Sequence, residues 1–312
     1  RAWDHAPGNP ALISRKAKSL SFTTSGIGLG EFHRNLLKAI ERGLTKEQAL
    51  AALTTNPARI CGIEKSTGTL EGGKLANLVV VEGETYFAEE AKISSTWIQG
   101  RPFQYFNETD AEKDQPTDGN ASKKEPEKRI AKFPHAERKA IESPSSVLFT
   151  GFKLWTCTVK GILSNHDLLV KDGKISALGP DLKSKAPKGC KIVEGKGRHL
   201  TPGLIDCHSH SMILGRVNES TLPSTAMVRI ADVINSESIN IERQLAGGLT
   251  ACNLLHGSAN PIGGQNAVIK LRLGASPDAM LLKGAPNGIK FALGENVKQA
   301  NWGDKHTTRF PQ

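Results

Sequence analysis

Thr201-Pro202-Gly203-Leu204-Ile205-Asp206-Cys207-His208-Ser209-His210 reads as an apolar strand that ends in paired histidines. On a strand, residues i, i+2 and i+4 share a face, which puts Asp206, His208 and His210 on one side. Two neutral imidazoles at the rim of a core can hold one divalent ion. They can equally be hydrogen-bonded core residues, because this spacing is less specific than a four-ligand zinc signature. Beyond the histidines, Val228, Ile230, Ala231, Ile234 and Ile241 recur at helical spacing and predict a helix over 227–245, stopped by Gly247-Gly248. A second buried strand follows over 249–255 and ends at His256. Strand, helix and parallel strand predict a βα barrel or a doubly wound sheet.

Before the histidine stretch, 147–158 and 167–170 read as strands, and Asp172-Gly173 is the dipeptide of a tight hairpin. Residues 107–146 are Asp, Glu, Lys, Pro, Ser and Asn with almost no aliphatic side chains, the composition of a disordered linker and a domain boundary. Ahead of it, 20–24 is a short strand candidate. Phe32, Leu36, Leu37 and Ile40 mark a helix capped by Gly43, and Thr45-Lys46-Glu47-Gln48 is a capping box. Thr55-Asn56-Pro57 opens another short helix, and 75–81 and 93–98 read as strands. The glycines at 26, 28 and 30 lack the Lys-Ser or Lys-Thr of a phosphate cradle.

The 312 residues are 38% hydrophobic and 23% charged, a globular composition able to bury a core. The formal net charge of +10 collects around 123–139 and 183–198 with few interleaved aromatics, so solvated surface is expected and nucleic acid is not. Apolar runs are too short for a bilayer span, and no membrane association is expected. Five cysteines without close pairing show no disulfide framework. The expectation is a soluble protein, cytoplasmic or exported in a bacterium, with its compartment left open. Asn107-Glu108-Thr109 and Asn120-Ala121-Ser122 match the glycosylation pattern, which matters only in a eukaryotic secretory pathway.

The block from Leu200 to His210 resembles the first barrel strand of the metal-dependent amidohydrolases, particularly their imidazolonepropionase-like members. The segment 147–193 is similar to the β-sandwich strands that precede that barrel, and Gly247-Gly248-Leu249-Thr250 to the entry of its second strand. Residues 1–106 resemble the opposite end of the family: its closing helices in 43–59, and its returning sandwich strands from Gly68-Thr69-Leu70-Glu71-Gly72-Gly73 onward. The resemblance thus runs end, linker, beginning. A circularly permuted enzyme and an excerpt across two tandem copies both give that order. A barrel of eight βα units takes roughly 200–250 residues, whereas only about 110 follow Leu200 and about 60 at the start are barrel-like. The count favours the tandem excerpt.

The resemblance therefore implies an α/β chain: partial TIM-barrel segments of amidohydrolase type plus a small β-sandwich, joined by a disordered linker. Its parts would be the end of a first copy (1–106), the linker (107–146), sandwich strands of a second copy (147–200) and its first βα units (201–312). It implies a hydrolase of non-peptide C–N bonds, acting on cyclic amides, amides or small dipeptides through metal-activated water. The alternatives are a hydrolytic deaminase or a non-catalytic scaffold. His208 and His210 would bind a divalent metal, zinc first among the candidates, and Asp206 would orient a histidine from behind or satisfy buried backbone. The catalytic base, an aspartate in the family, is expected outside the sequence, because Ser25 stands at its place in the first copy and cannot serve as a carboxylate. Asn77 likewise replaces a usual aspartate at a structural position. Lys290, and less so Lys270, is a candidate for a carbamylated metal-bridging lysine or simply a surface lysine. His256 and Gln265 flank a loop where barrel enzymes bind substrate, although a turn histidine is the equal alternative. The expected partners are a small-molecule substrate and either the other tandem copy or a second subunit.

Overall fold

The computed structural model describes residues 5–17, 19–24, 27–104 and 141–298. Ser25, both glycosylation patterns and most of the expected linker lie outside these described residues. The largest element is an eight-stranded sheet made of β1 (Leu78–Glu82), β2 (Lys92–Ile98), β3 (Arg101–Gln104), β4 (Ser146–Trp155), β5 (Ile162–Lys171), β6 (Lys174–Gly179), β7 (Lys191–Glu194) and β8 (His199–Pro202). Its order is β3-β2-β1-β8-β4-β5-β6, with β7 added parallel to β4. The join between β1 and β8 is antiparallel, from Leu78 opposite Pro202 to Val81 opposite His199. Strands on the two sides of residues 105–140 are therefore hydrogen-bonded neighbours.

Strand period explains how this sheet carries two cores. In β1, Leu78 and Val80 face a cluster with Trp97, Val147, Phe149, Leu154, Leu168, Ile175 and Leu200. Val79 and Val81 face the opposite way, onto helical residues Leu36, Leu50 and Leu53 and onto Trp155 and Leu204. The helices Phe32–Glu41 and Lys46–Leu53 form as their sequences predict. Gly43 ends the first at φ +105°, and the Thr45 hydroxyl accepts from the Gln48 amide at 3.1 Å while the Gln48 side chain accepts from the Thr45 amide at 3.0 Å. In the β5–β6 hairpin, Asp172 and Gly173 both take positive φ (48° and 75°), which the Asp-Gly pair tolerates.

The stretch around Gly203 is a crossover between layers and not one continuous strand. β8 ends at Pro202 in the large sheet, and β9 (Leu204–Ser209) begins a second sheet with β10 (Leu249–Leu254) and β12 (Ala267–Lys270). Thr250 of β10 fills the space beside Gly203, where an added Cβ would lie 2.2 Å from its side chain. The Thr250 hydroxyl donates to the Leu204 carbonyl at 3.1 Å.

β9 and β10 are parallel and joined through the helix Ile239–Ala246, the expected βα unit. β12 runs antiparallel to β10, however, so the sheet does not continue as a parallel barrel, and among the described residues no closed barrel forms. The helix expected over 227–245 is also shorter than its apolar spacing suggested. Only a 3-10 turn at Ile230–Val233 precedes it, and Ser238 caps it by accepting from the Asn240 amide at 3.3 Å. Ile230 and Ile234 are buried because the irregular segment docks on the core through bridges such as Ile213–Ile234 and Arg229–Gln265. Residues 20–24 form no strand; they run beside β9, tied by the Phe22 amide to the Ala52 carbonyl and by the Asn56 side chain to the Leu20 carbonyl.

Candidate metal centre

β9 delivers Asp206 and His208, and His210 follows at its end. The two imidazoles meet edge to face, with Nε2 of His208 3.2 Å from Nε2 of His210. Nδ1 of His210 lies 2.9 Å from the Leu255 carbonyl. A carbonyl only accepts, so that ring carries its proton on Nδ1 and presents the lone pair of Nε2 to His208. Two facing nitrogens at this separation need a proton or a cation between them. Burial chiefly, with the Lys290 ammonium a smaller cause, holds the His208 pKa below its ordinary value, which favours its neutral form. Two ligands of one tetrahedral zinc, each about 2.0–2.1 Å from the ion, stand about 3.3 Å apart. The donor set and spacing thus fit one divalent ion, and the Leu255 carbonyl supplies the second hydrogen bond that orients a histidine ligand.

Asp206 lies behind the pair, its Oδ1 accepting from the His208 amide at 3.0 Å. Burial raises its pKa; the His208 amide, the Thr23 side chain and the His210 charge oppose that rise. Thr23 also donates to the His208 carbonyl at 3.4 Å, so the segment 20–24 flanks the histidine strand. Cys61, Cys207 and Cys252 are free thiols with raised pKa, chiefly by burial; Cys61 is pushed up to about 12. Among the described residues, no cluster of three or more His, Cys, Asp or Glu groups is poised to ligate an ion.

Lys290 sits on β13 (Ile289–Phe291), which pairs with β11 (Ile262–Gln265). Burial lowers its own pKa, and its charge contributes to the lowering at His208. Lys270 instead donates to the Leu281 carbonyl at 3.4 Å.

His256 is buried with both ring nitrogens used by backbone. Nε2 accepts from the Glu219 amide at 2.8 Å, which leaves Nδ1–H for the Gly257 carbonyl at 2.9 Å. Gly263 and Gly264 press against the ring, where added Cβ atoms would stand 2.6 Å and 3.2 Å from it. The histidine thereby pins the 219–229 segment to β11. Gln265 does similar work, donating to the Ala226 carbonyl at 3.0 Å. Replacing His256 by alanine removes the partner of the Glu219 amide and of the buried Gly257 carbonyl and is expected to cost about 1–2 kcal/mol in denaturant unfolding.

Residues 12–103 match the model of the amidohydrolase family. An amidohydrolase, tasK, of Hapsidospora irregularis is 30% identical over 161 residues, covering 46% of the chain and 16% of that protein. Imidazolonepropionase of Klebsiella pneumoniae is 46% identical over 55 residues (18% of the chain, 13% of that protein), and adenine deaminase of Paracoccus denitrificans is 30% identical over 71 residues (23% and 12%). A crystal structure of an amidohydrolase from Thermotoga maritima is 33% identical, with a TM-score of 0.44 over 50% of the chain and 41% of that structure. These matches support the amidohydrolase superfamily. The chain spans less than a fifth of the length of these three curated relatives. No described helix is long and apolar enough to cross a membrane.

Proposed function

We propose that the chain carries part of the active centre of a metal-dependent hydrolase of non-peptide C–N bonds, with His208 and His210 as two ligands of one divalent ion. The observation that carries this reading is the 3.2 Å convergence of two Nε2 atoms, one with its proton directed to a carbonyl. Zinc fits the donor set, since imidazole and a tetrahedral spacing both suit it. Bound there, a divalent ion supplies a hydroxide nucleophile near neutral pH and polarises the scissile carbonyl. The protein's own part is orientation: Leu255 fixes the His210 tautomer, and the backbone hydrogen bond to Asp206 fixes the strand at His208.

The similarity to imidazolonepropionases supports a small cyclic amide as substrate, and that to adenine deaminases supports hydrolytic deamination as the second reading. The family match at 12–103, ahead of the histidine strand, supports the chain as the end of one such unit joined to the start of another. These two portions pack together through β1 and β8. The whole protein should hydrolyse cyclic amides or deaminate purines in a manner abolished by chelation and restored by zinc. Turnover that persists after metal removal would overturn the reading, and no turnover of either class with metal bound would favour a non-catalytic scaffold.

A further inference from the structure

Lys290 and the histidines lie on different sheets, and one chain of hydrogen bonds connects them. The Asn253 side chain, on β10, donates from Nδ2 to the carbonyl of Cys207, the residue before His208, at 3.3 Å. Its Oδ1 accepts from Nδ2 of Asn266 at 2.7 Å. Asn266, between β11 and β12, in turn accepts at Oδ1 from the Gly288 amide at 2.6 Å, and its own amide donates to the Gly288 carbonyl at 3.0 Å. Gly288 is two residues from Lys290. A Cβ at 288 would stand 3.0 Å from the Asn266 Oδ1, so glycine allows this close approach. Asn253 is buried, where an unmade amide hydrogen bond is costly, and every donor and acceptor in the chain is matched in sign.

We infer that Asn253 and Asn266 form a two-amide relay that ties the Lys290 strand to β9 at the residue before His208. Apolar packing does not fix β13, whose Ile289 and Phe291 are exposed; two hydrogen bonds on Asn266 do, because they grip the main chain at one residue. The carboxamide is required at both places. Each side chain must donate toward β9 and accept from the β13 side at once, which aspartate at neutral pH cannot do. Asn253 and Asn266 are positioning residues: they act on the ion's surroundings through Lys290 and the Cys207 backbone.

This inference rests on the metal reading above. Its test is cobalt(II) binding to the full chain, followed by visible absorbance, for wild type, Asn266→Ala, Asn253→Ala, Lys290→Ala and the Asn266→Ala/Lys290→Ala pair. Removing an outer partner of a metal site typically changes affinity about 10–100-fold. Asn266→Ala and Asn253→Ala should each change the cobalt Kd about 10-fold, in the direction Lys290→Ala changes it, and should alter the absorbance band. In the Lys290→Ala background, Asn266→Ala should add less than twofold. Asn266→Gln, which keeps the amide, should reverse part of that change. A wild-type Kd and band in Asn266→Ala, or effects that add fully with Lys290→Ala, would overturn the relay. Cobalt binding unchanged by His208→Ala/His210→Ala would instead overturn the metal reading itself.

Discussion

Gly203→Ala is expected to lower unfolding free energy by about 3 kcal/mol, the upper end for an overpacked core site. The new methyl would lie 2.2 Å from Thr250 Cγ2 and Oγ1 and 2.7 Å from its Cβ. Thr250 is fully buried and its hydroxyl is committed to the Leu204 carbonyl, so its side chain cannot rotate clear without losing that bond. Backbone movement is also resisted, because the Gly203 amide donates to the Asn77 carbonyl at 2.8 Å. Denaturant melts should show the loss, and Thr250→Gly in the same chain should recover part of it, since neighbouring substitutions couple. Gly179→Ala is the control: nothing lies within 4 Å of its added Cβ, and its stability should stay within about 0.5 kcal/mol of wild type. Equal stabilities for the two alanine variants would remove the close approach from the account.

That glycine also shows where sequence reading stopped. The apolar run through 201–210 looked like one strand, yet its two halves pair with different sheets, and only the position of Thr250, 47 residues on, imposes the break. Local signals were reliable where they acted locally. The capping box at Thr45, the hairpin at Asp172-Gly173 and the parallel β9–β10 pair all follow from residues within one or two elements. The helix over 227–245 failed because apolar residues spaced three or four apart also suit an irregular segment pressed on a core, as Ile230 and Ile234 are. Only the register of β1 on β8 was beyond the sequence, since alignment between strands about 120 residues apart is set by tertiary packing.

At the site, period-2 geometry puts Asp206, His208 and His210 on one face in advance, whereas nothing local ties the Lys290 strand to β9. The Asn253–Asn266 relay left no signature, because two ordinary asparagines 13 residues apart fit no motif. By sequence His256 fits a substrate residue or a turn residue equally; its two ring nitrogens bond the Glu219 amide and the Gly257 carbonyl.

The larger expected effect is on metal. If His208 and His210 share one ion, their joint removal takes away both identified ligands, and no second cluster among the described residues can replace them. Losing even one outer partner of a ligand costs about 10–100-fold in affinity, so losing both ligands should exceed about 100-fold. The fold should survive, because the pair is only partly buried and makes a single bond to another strand's end, that of His210 to Leu255. Elemental analysis of the zinc-equilibrated, desalted full chain, with circular dichroism to verify folding, measures this directly. The account predicts one zinc per chain in the wild type and almost none in His208→Ala/His210→Ala; equal zinc in the two folded proteins would contradict it.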